Sequence, residues 1–318
     1  VIGVVQLRKR RETMRVPIDK IMCGIDFSDY SDFALSYGAA LATELKARLY
    51  VCHIIDVTSA VIYGEGMSDI LIQEKHLLSY AREHVEELMK GLDVAWEPII
   101  SVGHPADEMA RAAGEKAIDL AITATHGRSG LKRMILGSVT ERLMRVLPCP
   151  LLAVRGKQDD DFKPSPITPR LRRILVGCDF SPYSDLAFNY GLSLAQEFQS
   201  ELHLVHVIEP PTYKNLSRQA NDLVEQPGKD LRVYLKETLD NMVPVEARLW
   251  CKPVTALLAG FAHEEVRKYA LVNQVDLIVM GVRGQGLVEK LLVGSTTDRV
   301  IREAHCPVLS VRPLTEEG

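Results

Sequence analysis

Apolar residues along this chain follow two alternating rhythms. Short, nearly continuous apolar runs mark strands buried on both faces. Longer stretches, in which apolar residues return every three or four positions, mark helices with one buried face. KIMCGI (20–25) is the first run and closes on Asp26-Phe27-Ser28. Ser28 is then an N-cap candidate, followed by helical spacing at Phe33, Ala34, Tyr37, Leu41 and Leu45. RLYVCHI (48–54) predicts a second strand, and residues 70–90 a long helix. VAWEPIIS (94–101) predicts a third strand, which Pro98 assigns to a sheet edge. Residues 104–117 suit a helix with Pro105 in its first turn. DLAITA (119–124) predicts a fourth strand, GSVTERLMRVL (137–147) a helix and PLLAVR (150–155) a fifth strand. Strands separated by helices of this length need parallel crossovers, so the pattern predicts an open, doubly wound α/β sheet of five parallel strands.

The whole pattern occurs twice. IMCGIDFSDYSDFALSYGAALATEL (21–45) returns as ILVGCDFSPYSDLAFNYGLSLAQEF (174–198), with 14 of 25 positions identical at an offset of 153. LYVCHII (49–55) matches LHLVHVI (202–208) at the same offset. Gly127 with Gly284, Gly137-Ser138 with Gly294-Ser295, and Cys149-Pro150 with Cys306-Pro307 pair at an offset of 157, so the second copy carries four extra residues in between. A repeat of this length is a domain, not a solenoid unit. The expected division is a basic, disordered tail over 1–17, a first domain over 18–155, an acidic and proline-rich linker over 156–170, and a second domain over 171–313. The opening VIGVV precedes its charges, which is the wrong order for a secretory signal.

Composition narrows the function classes. Lys+Arg number 38 and Asp+Glu 42, giving a formal net charge of −4, which offers no general attraction to nucleic acid or to an anionic membrane. The longest apolar runs, such as 204–208 and 277–280, fall far short of a bilayer span. The six cysteines form no C-x-x-C pair and read as buried small hydrophobes in a reducing cytosol. A cytoplasmic protein without nucleic-acid or membrane partners is therefore expected.

In a doubly wound sheet, ligands bind beyond the carboxyl ends of the strands, where chain order reverses. Asp26 and Asp179, just past strand one, converge there with the exit of strand two at Ile54 and Val207. The loop after strand four carries more information. The second copy reads GVRGQGLVEKLLVGSTT (281–297), a G-x-x-G followed by nine residues and G-S. The first copy, ATHGRSGLKRMILGSVT (124–140), keeps the spacing but has Ala124 at the first glycine. Glycines here permit positive φ and let backbone N–H groups approach an anion. Gly137-Ser138 and Gly294-Ser295 then open helices whose N-termini favour phosphate, with the Ser138, Thr140, Ser295 and Thr297 hydroxyls as further donors.

On these residues the chain resembles the universal stress protein family in its tandem form, over roughly 17–155 and 171–313. The resemblance implies two adenine nucleotide α-hydrolase-like, Rossmann-like domains and an ATP site, with Mg²⁺ accompanying the nucleotide. It assigns Asp179 to the adenosine and the Val207 backbone to the adenine edge, with Gly281, Gly284, Gly294, Ser295 and Thr296 around ribose and phosphates. The matching positions in the first copy are Asp26, Ile54, Gly127, Gly137, Ser138 and Val139. Ala124 departs from the pattern, so nucleotide is expected in the second domain before the first. The resemblance also implies pairing of the two fifth strands within one chain; further homodimerisation and an unidentified protein partner are compatible with it.

Other candidates keep two readings. Arg283 aligns with His126, and either could meet phosphate or remain solvated. The same holds for Arg128, Lys132, Arg133 and Lys290. His53 and His206 read as packed strand-end residues, and Trp96 and Trp250 as third-strand residues under a helix. No G-x-S-x-G elbow, zinc spacing or Walker loop is present. No catalytic or metal-ligating residue is therefore nominated. The reading is a nucleotide-responsive stress protein; the alternatives are a nucleotide-independent scaffold of the same family and a slow ATPase.

Overall fold

The fold was obtained as a computed structural model that describes residues 15–56, 67–125, 136–155, 171–210, 227–284 and 293–313. The chain divides into two compact units, one built on Pro17–Pro169 and the other on Arg170–Val288 with Gly294–Val311.

The first unit runs β1 (Lys20–Ile25), α1 (Asp29–Leu45), β2 (Arg48–Ile55), α2 (Met67–Met89), β3 (Trp96–Val102), α3 (Pro105–Glu115), β4 (Leu120–Ala124), α4 (Ser138–Val146) and β5 (Leu151–Val154). Its strand order is β3-β2-β1-β4-β5, and the pairs are parallel. Chain order reverses between β1 and β4, as the alternating pattern requires, and β3 with Pro98 lies at the edge. Every residue of β4 and β5 is buried, which explains their uninterrupted apolar sequence.

The second unit repeats this plan with β6 (Arg173–Gly177), α5 (Pro182–Phe198), β7 (Glu201–Ile208), α6 (Pro227–Asn241), a 3₁₀ turn (Ala247–Leu249), β8 (Pro253–Ala259), α7 (Ala262–Val272), β9 (Leu277–Gly281), α8 (Ser295–Glu303) and β10 (Val308–Val311). Its order is β8-β7-β6-β9-β10, again parallel. Both units are thus doubly wound five-stranded parallel sheets, as the sequence predicts.

Local chemistry sets the turn from first strand to first helix. Ser28 caps α1: its Oγ accepts from Ser31 N–H at 3.3 Å, and Ser31 Oγ accepts from Ser28 N–H at 3.1 Å. Ser181 caps α5 with the same forward bond, its Oγ accepting from Ser184 N–H at 3.2 Å. The residues just before these caps, Phe27 and Phe180, both adopt φ +59°, a left-handed conformation that folds the chain back over the end of the strand.

One expectation needs correcting. Trp96 opens β3, but Trp250 lies outside any strand, at the end of the 3₁₀ turn and three residues ahead of β8. The four extra residues of the second copy fall between β7 and β8, so the two tryptophans are not equivalent positions.

Candidate functional site

In the second unit, Asp179 follows β6 and is held by the first turn of α5. Its Oδ1 accepts from Ser181 N–H at 3.0 Å and from Ser181 Oγ at 2.5 Å. Its Oδ2 lies against Gly284, where an added Cβ would collide with it. Strand one and the glycine loop therefore meet at a carboxylate. Phe180 stacks on His206 with ring centroids 4.6 Å apart, and His206 Nδ1 donates to the Cys178 carbonyl at 2.7 Å. The two recurrent histidines thus act as packed, backbone-tethered groups flooring the site. Arg283 is directed along the protein itself: Nη1 donates to Tyr183 Oη at 3.0 Å, and the guanidinium lies over that ring.

The glycines are needed for closeness, not for unusual torsions. Gly294 has φ −62° and Gly137 φ −59°, and neither Gly281 nor Gly284 has positive φ. A Cβ on Gly281 would stand 2.7 Å from Tyr183 Cβ and 2.9 Å from the Tyr183 carbonyl carbon. Positive φ falls instead on Gly103 (+148°) and Gly260 (+147°), directly after the third strands, with Glu108 and Glu265 packed beneath them. Sequence reasoning passed over these two glycines, although they recur in the repeat just after the third strand.

Gly294 and Gly137 are the N-caps of α8 and α4, and neither helix start receives a side-chain cap. Uncapped N–H groups and the helix dipole leave a place for an anion at each. Ser295 is exposed and Thr296 half-buried beside this start, whereas Thr297 is buried and its Oγ1 donates to the Gly281 carbonyl at 2.8 Å. Thr140 makes the same bond to the Ala124 carbonyl, also at 2.8 Å. These hydroxyls, expected as phosphate donors, fix the helix start to the end of strand four. Val207 lies half-buried near the end of β7.

In the first unit the corresponding residues surround a cavity of about 270 Å³. Its lining includes Asp26, Ile54, Gly137, Ser138, Val139 and Thr140, so six of the residues chosen from the sequence meet in one place. Gly127 lies outside the described residues, as do His126, Arg128, Lys132, Arg133 and Lys290. Asp26 mirrors Asp179: Oδ1 accepts from Ser28 N–H at 3.1 Å and Ser28 Oγ at 2.5 Å. Phe27 stacks on His53 at 4.1 Å and meets His84 of α2 at 4.4 Å. Burial raises the Asp32 carboxyl above the ordinary range, reinforced by the Asp29 carboxylate.

Pro105 and Met109 of α3, Cys52 and Thr123 also line this cavity and were not anticipated. The i, i+4 spacing of Pro105 and Met109 on one helical face was the available signal. Burial pushes the Cys52 thiol up to about 12, so it acts as an apolar wall. The wall differs between units. Met109 Sδ lies 2.8 Å from the Cβ position of Gly24, whereas at the equivalent Gly177 the neighbour is Met280 of β9, with Cε at 3.4 Å. Thr123 is replaced by Met280 and Met109 by Val266, so the methionine comes from the helix in one unit and from the strand in the other.

The model of the universal stress protein family matches residues 17–155 and again 170–312. The chain belongs to the universal stress protein family. Universal stress protein Rv2005c of Mycobacterium tuberculosis is 26% identical over 309 residues, covering 92% of this chain and 96% of that one. YxiE of Bacillus subtilis is 33% identical over 148 residues, covering 43% of this chain and 99% of its own length. A crystal structure of a universal stress protein from Archaeoglobus fulgidus DSM 4304 superposes with a TM-score of 0.67 at 19% identity, covering 93% of this chain and 99% of that one, a likeness of fold. Among the described residues of this universal stress protein, no helix is long and apolar enough to cross a membrane. Nor does any cluster of three or more His, Cys, Asp or Glu suit a metal ion.

Proposed function

We propose that this universal stress protein binds ATP, with Mg²⁺ carried by the nucleotide, at the strand carboxyl ends of both units and responds to nucleotide as a regulatory protein. The observation that carries this reading is the cavity of about 270 Å³, into which the repeat-derived residues Asp26, Ile54, Gly137, Ser138, Val139 and Thr140 converge. The donor set fits the ligand. An uncapped helix start suits phosphate, a carboxylate anchored by a serine suits a ribose or adenosine hydroxyl, and the backbone at the strand-two exit, Ile54 or Val207, suits the adenine edge. Gly281, Gly284, Gly294, Ser295 and Thr296 serve this role in the second unit, with Arg283 and Thr297 fixing the loop and helix they contact. The second unit keeps the full glycine pattern. In the first, Ala124 lines the cavity without closing it, which supports a site there too. Nucleotide held this way alters the surface presented at the strand carboxyl ends, without requiring turnover.

The test is calorimetric titration of ATP–Mg²⁺ into the intact chain and into Gly137→Asp and Gly294→Asp. A Cβ on Gly294 meets nothing closer than 3.5 Å, so the aspartate can be accommodated while its carboxylate occupies the anion position. Each variant is expected to remove one site and the double variant both. An intact chain that gives no binding heat would overturn the proposal.

A further inference from the structure

A second cavity, of about 560 Å³, opens at the opposite edge of the second unit, where its strands begin. Arg172 stands immediately before β6, Gln196 and Gln199 at the end of α5, Glu201 at the start of β7, and Trp250 and Lys252 just ahead of β8. Because the strands are parallel, all their starting ends gather here, far from the glycine loop. The volume falls within the range of small-molecule sites.

Two features point to a ligand. Among the described residues, the Arg172 guanidinium and the Lys252 ammonium have no hydrogen-bond or ion-pair partner. The nearby Glu201 carboxylate is already engaged by Arg173, with Nε 3.5 Å away, so the lining carries uncompensated positive charge. Trp250, half-buried in the wall, adds a flat aromatic surface.

The first unit shows that the fold does not need this arrangement. The equivalents of Arg172, Gln196, Trp250 and Lys252 are Asp19, Thr43, Asp93 and Ala95. There the Thr43 hydroxyl is satisfied, bonding the carbonyls of Ala39 at 3.0 Å and Asp93 at 3.4 Å. The aromatic wall belongs to the second copy alone, and the first copy carries its cations at other positions of this edge, Lys46 and Arg48 at the equivalents of Gln199 and Glu201.

We propose that this cavity is a binding site for small aromatic carboxylic acids. The carboxylate meets Arg172 and Lys252, and the ring lies along Trp250. The site is independent of the nucleotide reading.

The chain has two tryptophans, so its ¹⁵N spectrum holds two indole N–H signals, which Trp96→Phe assigns. Titrating 4-hydroxybenzoate should shift the Trp250 signal saturably and leave Trp96 unmoved. The uncharged 4-hydroxybenzyl alcohol should bind at least about tenfold more weakly, as should 4-hydroxybenzoate with Arg172→Gln or Lys252→Gln, each of which removes a charge-assisted hydrogen bond. Lys252 is exposed, so its variant tests the charge without threatening the fold. Gly294→Asp should leave the titration unchanged, which separates this site from the nucleotide site. Absence of a saturable shift up to about 10 mM would overturn the proposal. So would equal binding of acid and alcohol, or undiminished binding by Lys252→Gln.

Discussion

Replacing Gly281 by alanine tests the claim that the first glycine of the loop exists to let β9 touch the start of α5. The added methyl would lie 2.7 Å from Tyr183 Cβ and 2.9 Å from both the Tyr183 carbonyl carbon and the Arg283 carbonyl oxygen, where ordinary contact begins at 3.4 Å. Backbone must therefore move by several tenths of an ångström, because two of the three obstacles are main-chain atoms that no rotamer change removes. Overpacking of this kind costs about 1–3 kcal/mol. At about 2–4 °C per kcal/mol for a domain of this size, the loss is readily seen in a thermal scan. Urea unfolding followed by the Trp250 signal, in a Trp96→Phe background, reports on the second unit. The expected result is a lower midpoint with an unchanged slope. The converse variant, Ala124→Gly in the first unit, deletes a buried methyl and gains nothing, so it should be neutral or destabilising by about 1 kcal/mol. If Gly281→Ala unfolds at the wild-type midpoint, or Ala124→Gly is clearly stabilising, the close-approach argument is wrong.

Other outcomes follow from contacts already described. Thr297→Val keeps the shape but strips the Gly281 carbonyl of its buried partner, and should lower stability by about 1–3 kcal/mol, as should Thr140→Val at Ala124; denaturant midpoints measure both. Burial holds the His203 and His305 imidazoles below their ordinary value of about 6.5, so the unfolded chain takes up protons first as pH falls. Stability of the second unit should therefore fall as pH drops below that value and flatten once the folded histidines titrate. Glu201, 3.6 Å from His203 Nε2, does not reverse this, and His203→Gln should shallow the pH profile. Burial raises all six thiols, Cys149 and Cys306 to about 12, so a thiol reagent should find none in the native chain and six in denaturant.

Much of the fold was legible because strand burial and helix spacing are one-dimensional signals. KIMCGI became β1 over the predicted residues, and Pro98 sits at the edge where its missing N–H disturbs least. The converging edge was legible too, since the repeat marked the same positions twice. What lay beyond reach depends on side chains meeting in three dimensions. Nothing in the spacing distinguishes a threonine facing an anion from Thr297 bonded to a strand carbonyl. Glycine in the loop suggested positive φ, whereas the structure places that torsion at Gly103 and Gly260 and leaves Gly281 and Gly284 with a steric role. Trp250 was misplaced because an insertion shifted the register between two segments that look alike in sequence.

The exchanged methionines constrain how two copies of one gene can drift apart. Thr123 with Met109 fills nearly the same volume as Met280 with Val266, since threonine and valine are close to isosteric. Neither copy can acquire the other's wall in one step. Thr123→Met alone sets two methionines against Gly24, and Met109→Val alone leaves a void, each a loss of about 1–3 kcal/mol. Only the paired change crosses without that loss. The two walls are thus separate valleys, and ancestry alone will not keep the ligand preferences of the two units together.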